Sequence, residues 1–266
     1  MQKDNIISSV SNPKITELIK IRDYKKYRDE KQLFFLEGER LINDTNKELL
    51  VSLFINENYN KDLSRYDDIT KYIVTENVFN KIKDTKNSQG IIALAKIQLN
   101  IDYEKCFENN VDNIVLLDDV QDPGNLGTIF RTCEASGIKD ILMTSDSCDC
   151  YMPKVLRASM SSIFRLNLYI IDDILNVINR AKRHEYNLIS TAPKSNNKYY
   201  NYDFTKQKNI IVFGNEANGI RKEILSLCDD SINIPMDGSI ESLNVSISCA
   251  LILYEIKKQK DIKNEK

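Results

Sequence analysis

The feature that most constrains this chain is a succession of short apolar runs in its C-terminal half: Ile114 to Leu117, Ile141 to Thr144, Leu166 to Ile171, Leu188 to Thr191, Ile210 to Phe213 and Ile232 to Ile234. Stretches with helical spacing separate most of them. Strands that are apolar along their whole length are buried on both faces, and strands joined through helices run parallel. The pattern therefore predicts an α/β unit with a mainly parallel sheet. In such sheets ligands bind in loops beyond the carboxyl ends of the strands, so the search for chemistry narrows to those loops.

The N-terminal part repeats the alternation on a smaller scale. Pro13 at a first helical turn, with Ser11 or Asn12 as cap and Ile15, Leu18 and Ile19 behind, predicts a helix from Asn12 to about Glu30. β-prone runs follow at Leu33 to Leu36, Leu50 to Ile55, Tyr72 to Thr75 and Ile91 to Ala95, with helical stretches from Glu39 and Glu76 between them. At 266 residues two domains are expected. The polar segment Gln98 to Asp112 holds the boundary, giving a smaller α/β domain over 1–105 and a larger one over 112–266.

No apolar stretch approaches the roughly 18 residues of a membrane helix, and no apolar leader follows Met1-Gln2-Lys3-Asp4. A soluble, cytoplasmic protein is expected. The cysteines (Cys106, Cys133, Cys148, Cys150, Cys228 and Cys249) contain no Cys-x-x-Cys pair, and His184 is the sole histidine. Reduced thiols and no metal site are the expectation, which disfavours metal and histidine-based catalysis. A net charge of -2 argues against coating nucleic acid by bulk charge. Distribution says more: Lys14, Lys20, Arg22, Lys25, Lys26, Arg28 and Lys31 crowd the first helix, whereas Asp102 to Glu108 and Asp112 to Asp122 are acid-rich.

Only eight glycines occur, and Gly124, Gly127, Gly214, Gly219 and Gly238 fall in loops after strand runs. The first loop, Leu117 to Gly127, contains Asp122-Pro123-Gly124-Asn125 and opens a helix. It is neither a G-x-G-x-x-G fingerprint nor a phosphate-binding loop of the Gly-Lys-Ser/Thr type. Asn125 stands at the mouth of the helix, where backbone amides favour an anion, and Arg131 lies six residues on, near two turns and roughly below the same face. The second loop is Phe213-Gly214-Asn215-Glu216-Ala217-Asn218-Gly219-Ile220. The third, Ile234 to Ser246, opens a helix paced by Val245, Cys249, Ile252 and Ile256, with Ser242 as candidate cap and Asn244 an unfavoured helix residue that needs another purpose.

At these loops the sequence resembles the SpoU (TrmH-like) branch of the SPOUT RNA methyltransferases. The three motifs are similar to Asp118 to Gly137, Ile211 to Ile220 and Ile234 to Glu255. Arg157-Ala158-Ser159-Met160-Ser161-Ser162-Ile163-Phe164 resembles a further family segment, with serine at 161 where glycine is expected. Phe34 to Ile42, including Glu37-Gly38-Glu39-Arg40, and Thr85 to Ala95 are similar to the ribosomal-protein-like substrate-binding domain often fused to these enzymes.

The resemblance implies a trefoil-knotted C-terminal domain, a homodimer, and S-adenosylmethionine-dependent methylation of an RNA ribose 2'-hydroxyl. It implies catalytic positions at Asn125, Arg131, Glu216, Ser242 and Asn244, and a cofactor cradle from Thr191, Ala192, Gly214, Asn215, Ile234, Met236 and Leu243. Arginine stays protonated, so Arg131 is assigned to phosphate and to the forming alkoxide. Glu216 is the alternative proton acceptor if its pKa is raised by burial. Lys14, Arg22, Lys25, Lys26, Arg28 and Arg157 are expected to meet RNA, with Tyr24 and Tyr27 as candidate stacking rings. The domain pairing favours 23S rRNA over tRNA. The competing readings are a non-catalytic ribosome-assembly factor of the same fold and an enzyme methylating a base, DNA or protein. An open-sheet methyltransferase is disfavoured because its glycine-rich first loop is absent.

Overall fold

The computed structural model describes residues 6–99, 102–108, 111–192 and 195–265. Parts of the expected boundary segment (100, 101, 109 and 110) lie outside it. In chain order the elements are β1 (Ile6–Ile7), α1 (Pro13–Asp23), α2 (Lys25–Lys31), β2 (Leu33–Glu37), α3 (Glu39–Asp44), β3 (Leu50–Asn56), β4 (Thr70–Val74), α4 (Glu76–Ile82), β5 (Ile91–Lys96) and α5 (Glu104–Glu108). There follow β6 (Asn113–Leu117), α6 (Pro123–Ser136), β7 (Asp140–Thr144), α7 (Pro153–Ser159), β8 (Asn167–Ile171), α8 (Ile174–Arg183), β9 (Tyr186–Thr191), β10 (Lys208–Phe213), α9 (Lys222–Leu225), β11 (Asp230–Ile232) and α10 (Val245–Asn264).

Two compact units result: 1–98 with 149–164, and 99–148 with 165–266. The first holds a five-stranded mixed sheet in the order β1-β4-β3-β5-β2, with β5 antiparallel to both its neighbours. Ile15, Leu18 and Ile21 of α1 and Val78, Phe79 and Ile82 of α4 bury one helical stripe each against Phe35, Phe54 and Ile92 of this sheet. The helix expected from Asn12 to Glu30 is two helices. Asn12 caps α1 through Lys14 N–H, as one of the two expected caps, but Tyr24 turns extended (φ -121°, ψ 116°) and breaks the run.

The second unit carries a six-stranded sheet in the order β11-β9-β10-β6-β7-β8, every pair parallel. The apolar runs of the sequence lie in its strands, except that the run expected at Ile232 to Ile234 is corrected: β11 is Asp230–Ile232, so only Ile232 is shared and Ile234 falls in the loop beyond. β6, β7 and β10 are buried along almost their whole length, which accounts for the absence of alternation. The pairing aligns Phe213 with Leu117, Val212 with Ser190 and Ile232 with Thr191. The carboxyl ends of β6, β9, β10 and β11 therefore share one edge, and the three glycine loops leave from it or from the segment just after it. Among the described residues no helix is long and apolar enough to cross a membrane, and no cluster of three or more His, Cys, Asp or Glu could hold a metal ion.

Candidate active site

The first loop enters α6 through Asp122, whose carboxylate accepts the Asn125 N–H at 2.8 Å, followed by Pro123 at the first helical position. Asn125 thus lies inside the first turn. At 3.6 residues per turn, six residues leave Arg131 rotated by roughly 120° from Asn125 about the helix axis. The expectation that the two share a face is corrected on that ground. The Arg131 side chain is exposed and makes no hydrogen bond or ion pair to another described residue.

The second loop closes on itself through reciprocal backbone bonds between Asn215 and Gly219. This fold-back explains Gly214: a Cβ there would stand 2.3–2.5 Å from the backbone of Gly219 and Ile220. The Asn215 side chain is used within the protein. Its Oδ1 accepts the N–H groups of Ala217 and Asn218, and its Nδ2 donates to Asp119 O at 2.9 Å.

Glu216 ties the second loop to the first. Its carboxylate accepts Gln121 N–H and Asp122 N–H, each at 3.2 Å, and Asn125 Nδ2 at 2.9 Å. Burial pushes the carboxyl pKa up, but the Asn125 bond and these backbone donors outweigh it and hold the group below its ordinary range. Glu216 is consequently an ionised acceptor and a poor base near neutral pH, opposite to the raised pKa that a proton acceptor needs.

The third loop joins through Asn244, whose Nδ2 donates to Asn125 Oδ1 at 2.9 Å. Asn244 is itself the cap of α10, its Oδ1 accepting Ser246 N–H and Ser246 Oγ–H. The cap expected at Ser242 is corrected: the helix begins two residues later, and the asparagine expected within the helix stands at the end where its side chain is favoured. Ser242 is exposed. A continuous chain of hydrogen bonds, Ser246–Asn244–Asn125–Glu216, thereby fixes three loops that are far apart in sequence.

Thr191, Ala192, Gly214, Ile234, Met236 and Leu243 are half-buried along or just beyond the same strand ends. Thr191 Oγ1 donates to Val212 O, and Ala192 N–H to Ile232 O, locking neighbouring strand ends together. Beside them Asn233 Oδ1 is buried without a hydrogen-bond partner. An orphaned acceptor next to half-buried apolar side chains fits a ligand that is part apolar and part hydrogen-bond donor, as an adenosine-containing cofactor is.

Sequence reading missed Asp118 and Arg221. Asp118, fully buried at the end of β6, accepts Arg221 N–H at 2.8 Å and Arg221 Nε–H at 2.7 Å, while Arg221 Nη1 reaches Asp146 at 3.2 Å. The available signal was a carboxylate ending an otherwise apolar strand, since a buried charge requires a partner.

In the first unit, the cations expected at RNA occupy different settings. Arg28 is buried, bonded to Asp149 at 2.5 and 2.8 Å and to the carbonyls of Ile21 and Arg22. Arg22 caps the carbonyls of Lys81, Ile82 and Lys83, and Lys14 Nζ donates to Tyr72 Oη at 2.7 Å. Lys20 and Lys31 lie over the Tyr27 ring, whereas Tyr24 is exposed. Arg157 pairs with Asp84. Lys25 and Lys26 are exposed.

Comparison with known proteins agrees with this arrangement. Residues 112–254 match the SpoU rRNA Methylase family, and residues 12–93 match the MRM3-like substrate binding domain. The uncharacterized tRNA/rRNA methyltransferase MG252 of Mycoplasma genitalium is 31% identical over 88% of this chain and 99% of its own length. The 23S rRNA (guanosine(2553)-2'-O)-methyltransferase RlmP of Bacillus subtilis is 26% identical over 94% of this chain and 98% of its own. A crystal structure described as an RNA 2'-O ribose methyltransferase superposes with a TM-score of 0.77 at 28% identity, covering 96% of this chain and 99% of the other. The SpoU methyltransferase AviRb of Streptomyces viridochromogenes shares the fold at a TM-score of 0.83 and 22% identity, over 95% of this chain and 99% of that one. With its three strand-end loops locked together and the family match running through all of them, the chain belongs to the SpoU rRNA methylase family.

Proposed function

We propose that this protein transfers a methyl group from S-adenosylmethionine to a ribose 2'-hydroxyl of RNA, with 23S rRNA as the favoured substrate over tRNA. The observation that carries the reading is the Glu216–Asn125–Asn244 network, which sets the polar groups of all three family motifs at one sheet edge. The relatives' rRNA 2'-O-methyltransferase names and the substrate-binding match over 12–93 support the substrate. Two neighbouring structures are described with AdoMet bound.

When bound, the cofactor supplies an electrophilic methyl group. Thr191, Ala192, Gly214, Ile234, Met236 and Leu243 form its cradle, and Asn215 holds the loop through Asp119. Asn125, Ser242 and Asn244 orient the ribose and adjoining phosphate. Glu216 keeps Asn125 in place. The Arg131 guanidinium, exposed and without an ion-pair partner among the described residues, stabilises charge developing on the attacking oxygen and its phosphate. Lys25 and Lys26 of α2 meet RNA phosphates.

The division 1–105 for substrate binding and 112–266 for catalysis, with 149–164 of the latter packed in the first unit, a trefoil knot in the C-terminal part, a homodimer and a cytoplasmic location belong to the same proposal. The exposed stripe Ile247, Leu251 and Tyr254 on α10, spaced at i, i+4 and i+7, supports the homodimer. The buried thiols of Cys106, Cys133 and Cys249 support a reducing compartment.

The test is the split between chemistry and binding. Arg131→Ala should lower methyl transfer by about 10²–10³-fold while cofactor affinity, measured calorimetrically, stays within about twofold of wild type. Equal losses of both would contradict the assignment.

A further inference from the structure

We propose that the first unit takes an unstacked nucleotide of single-stranded RNA in a groove formed by the loops after β2, β3 and α4 and by the end of α7. This rests on the RNA reading above but concerns residues outside the catalytic network and outside the basic helices α1 and α2.

Two adjoining depressions form the groove, of about 150 Å³ and about 250 Å³, and Gln89 lines both. The smaller is walled by Arg40, Arg157, Leu41, Met160 and Ser161. Met160 and Ser161 are consecutive non-glycine residues in the left-handed region, at φ 52° and 70°. Met160 is the left-handed cap that ends α7, but a second non-glycine residue in that region persists only where the surroundings impose it, and such residues cluster at ligand sites. Ser161 is fully buried, yet its hydroxyl has no hydrogen-bond partner. A buried polar group without a partner is costly, and a ribose or phosphate oxygen seated here supplies one. Gly38 brings the backbone close, since a Cβ there would lie 2.9 Å from Gln89 Oε1. That oxygen is already held by Glu39 N–H at 2.8 Å, so the Gln89 amide is fixed with its nitrogen left as donor.

The larger depression is amide-rich, with Tyr59 on its wall. Glu76 gathers Asn56 Nδ2 at 2.6 Å, Asn58 Nδ2 at 3.3 Å and Asn80 Nδ2 at 3.0 Å, which leaves the carbonyl oxygens of Asn58 and Asn80 as fixed acceptors. Amide donors and acceptors together with an aromatic ring on the wall suit an unstacked base, which displays both kinds of edge and a π-face. The local charge is mixed, Lys61 being paired with Glu39, Arg157 with Asp84 and the exposed Arg40, at 3.9 Å, with Asp44. Base and ribose contacts therefore dominate, with Arg40 as the main phosphate contact.

The test measures binding of a fluorescein-labelled mixed-sequence RNA 12-mer to the full chain, as a single strand and annealed to its complement. Wild type should prefer the single strand by about tenfold. Tyr59→Leu should cost about tenfold and Tyr59→Phe almost nothing, because the ring is retained. Arg40→Ala, an exposed position, should weaken binding severalfold and reduce the salt slope by about 0.7. Ser161→Gly separates binding from folding: relief of the left-handed strain should raise the melting temperature while affinity falls about threefold. Equal wild-type affinity for strand and duplex, or wild-type affinity in folded Arg40→Ala and Tyr59→Leu, would overturn the groove. Methyl transfer to rRNA, followed in the same preparations, keeps the two readings apart. Transfer with unaltered variants refutes the groove alone, whereas a variant-sensitive strand preference without transfer refutes the activity alone.

Discussion

The polar groups of α1 and α2 and those of the strand-end loops in the second unit are put to opposite uses. In the helices most cations serve the protein itself: Arg28 neutralises Asp149, Arg22 caps α4, Lys14 bonds Tyr72, and Lys20 and Lys31 cover Tyr27. In the loops, Asn125, Glu216 and Asn244 satisfy one another at a sheet edge, while Ser242 and Arg131 remain exposed. A crowd of charge in a sequence thus does not by itself mark a ligand surface, because long cationic side chains can reach inward to carbonyls and rings.

The largest effect that could break this contrast is at Arg28. Arg28→Ala leaves a carboxylate in a buried setting without this partner and should destabilise the fold by about 3–5 kcal/mol, read by denaturant unfolding, with RNA affinity per folded molecule unchanged. A stable Arg28→Ala protein with weakened RNA binding would place Arg28 on the RNA surface instead. Next comes Asn244→Ala, which removes both the α10 cap and the bond to Asn125. Its stability cost should be about 1 kcal/mol, yet methyl transfer should fall by at least tenfold at temperatures where the protein is fully folded.

Glu216 sharpens the comparison through pH. Its folded pKa lies below the ordinary carboxylate value, so its contribution is fully present above about pH 4.3 and is lost as pH falls through the lower folded value. Melting temperatures of wild type and Glu216→Gln should therefore converge as the solution is acidified and separate towards neutrality. The smallest effect belongs to Lys25→Ala with Lys26→Ala: stability within about 0.5 kcal/mol, and a salt slope for RNA binding shallower by about 1–2.

Much of the fold was legible because apolar runs at strand length are hard to bury in any other way. Ile114 to Leu117 and Ile210 to Phe213 lie within β6 and β10 almost to the residue. The break at Tyr24 was not legible, since no proline or glycine marks it; it follows from Arg28 turning back to the carbonyls of Ile21 and Arg22. At the site, Asn125, Glu216 and Asn244 were marked by sitting in loops after strands. Their mutual bonds were not, because they span separations of 91 and 119 residues. The Asp118–Arg221 clamp went unread for the same reason. Arg131 was misplaced by treating six residues as two turns, an error of roughly a third of a turn.

The reaction itself is open to direct assay. The most direct measurement incubates purified protein and labelled S-adenosylmethionine with separated rRNA and tRNA, and maps the product by mass spectrometry. The expected product is a 2'-O-methylnucleotide at a defined position in large-subunit rRNA, absent with Arg131→Ala. A methylated base, or no transfer to either RNA by a protein that binds the cofactor, would contradict it.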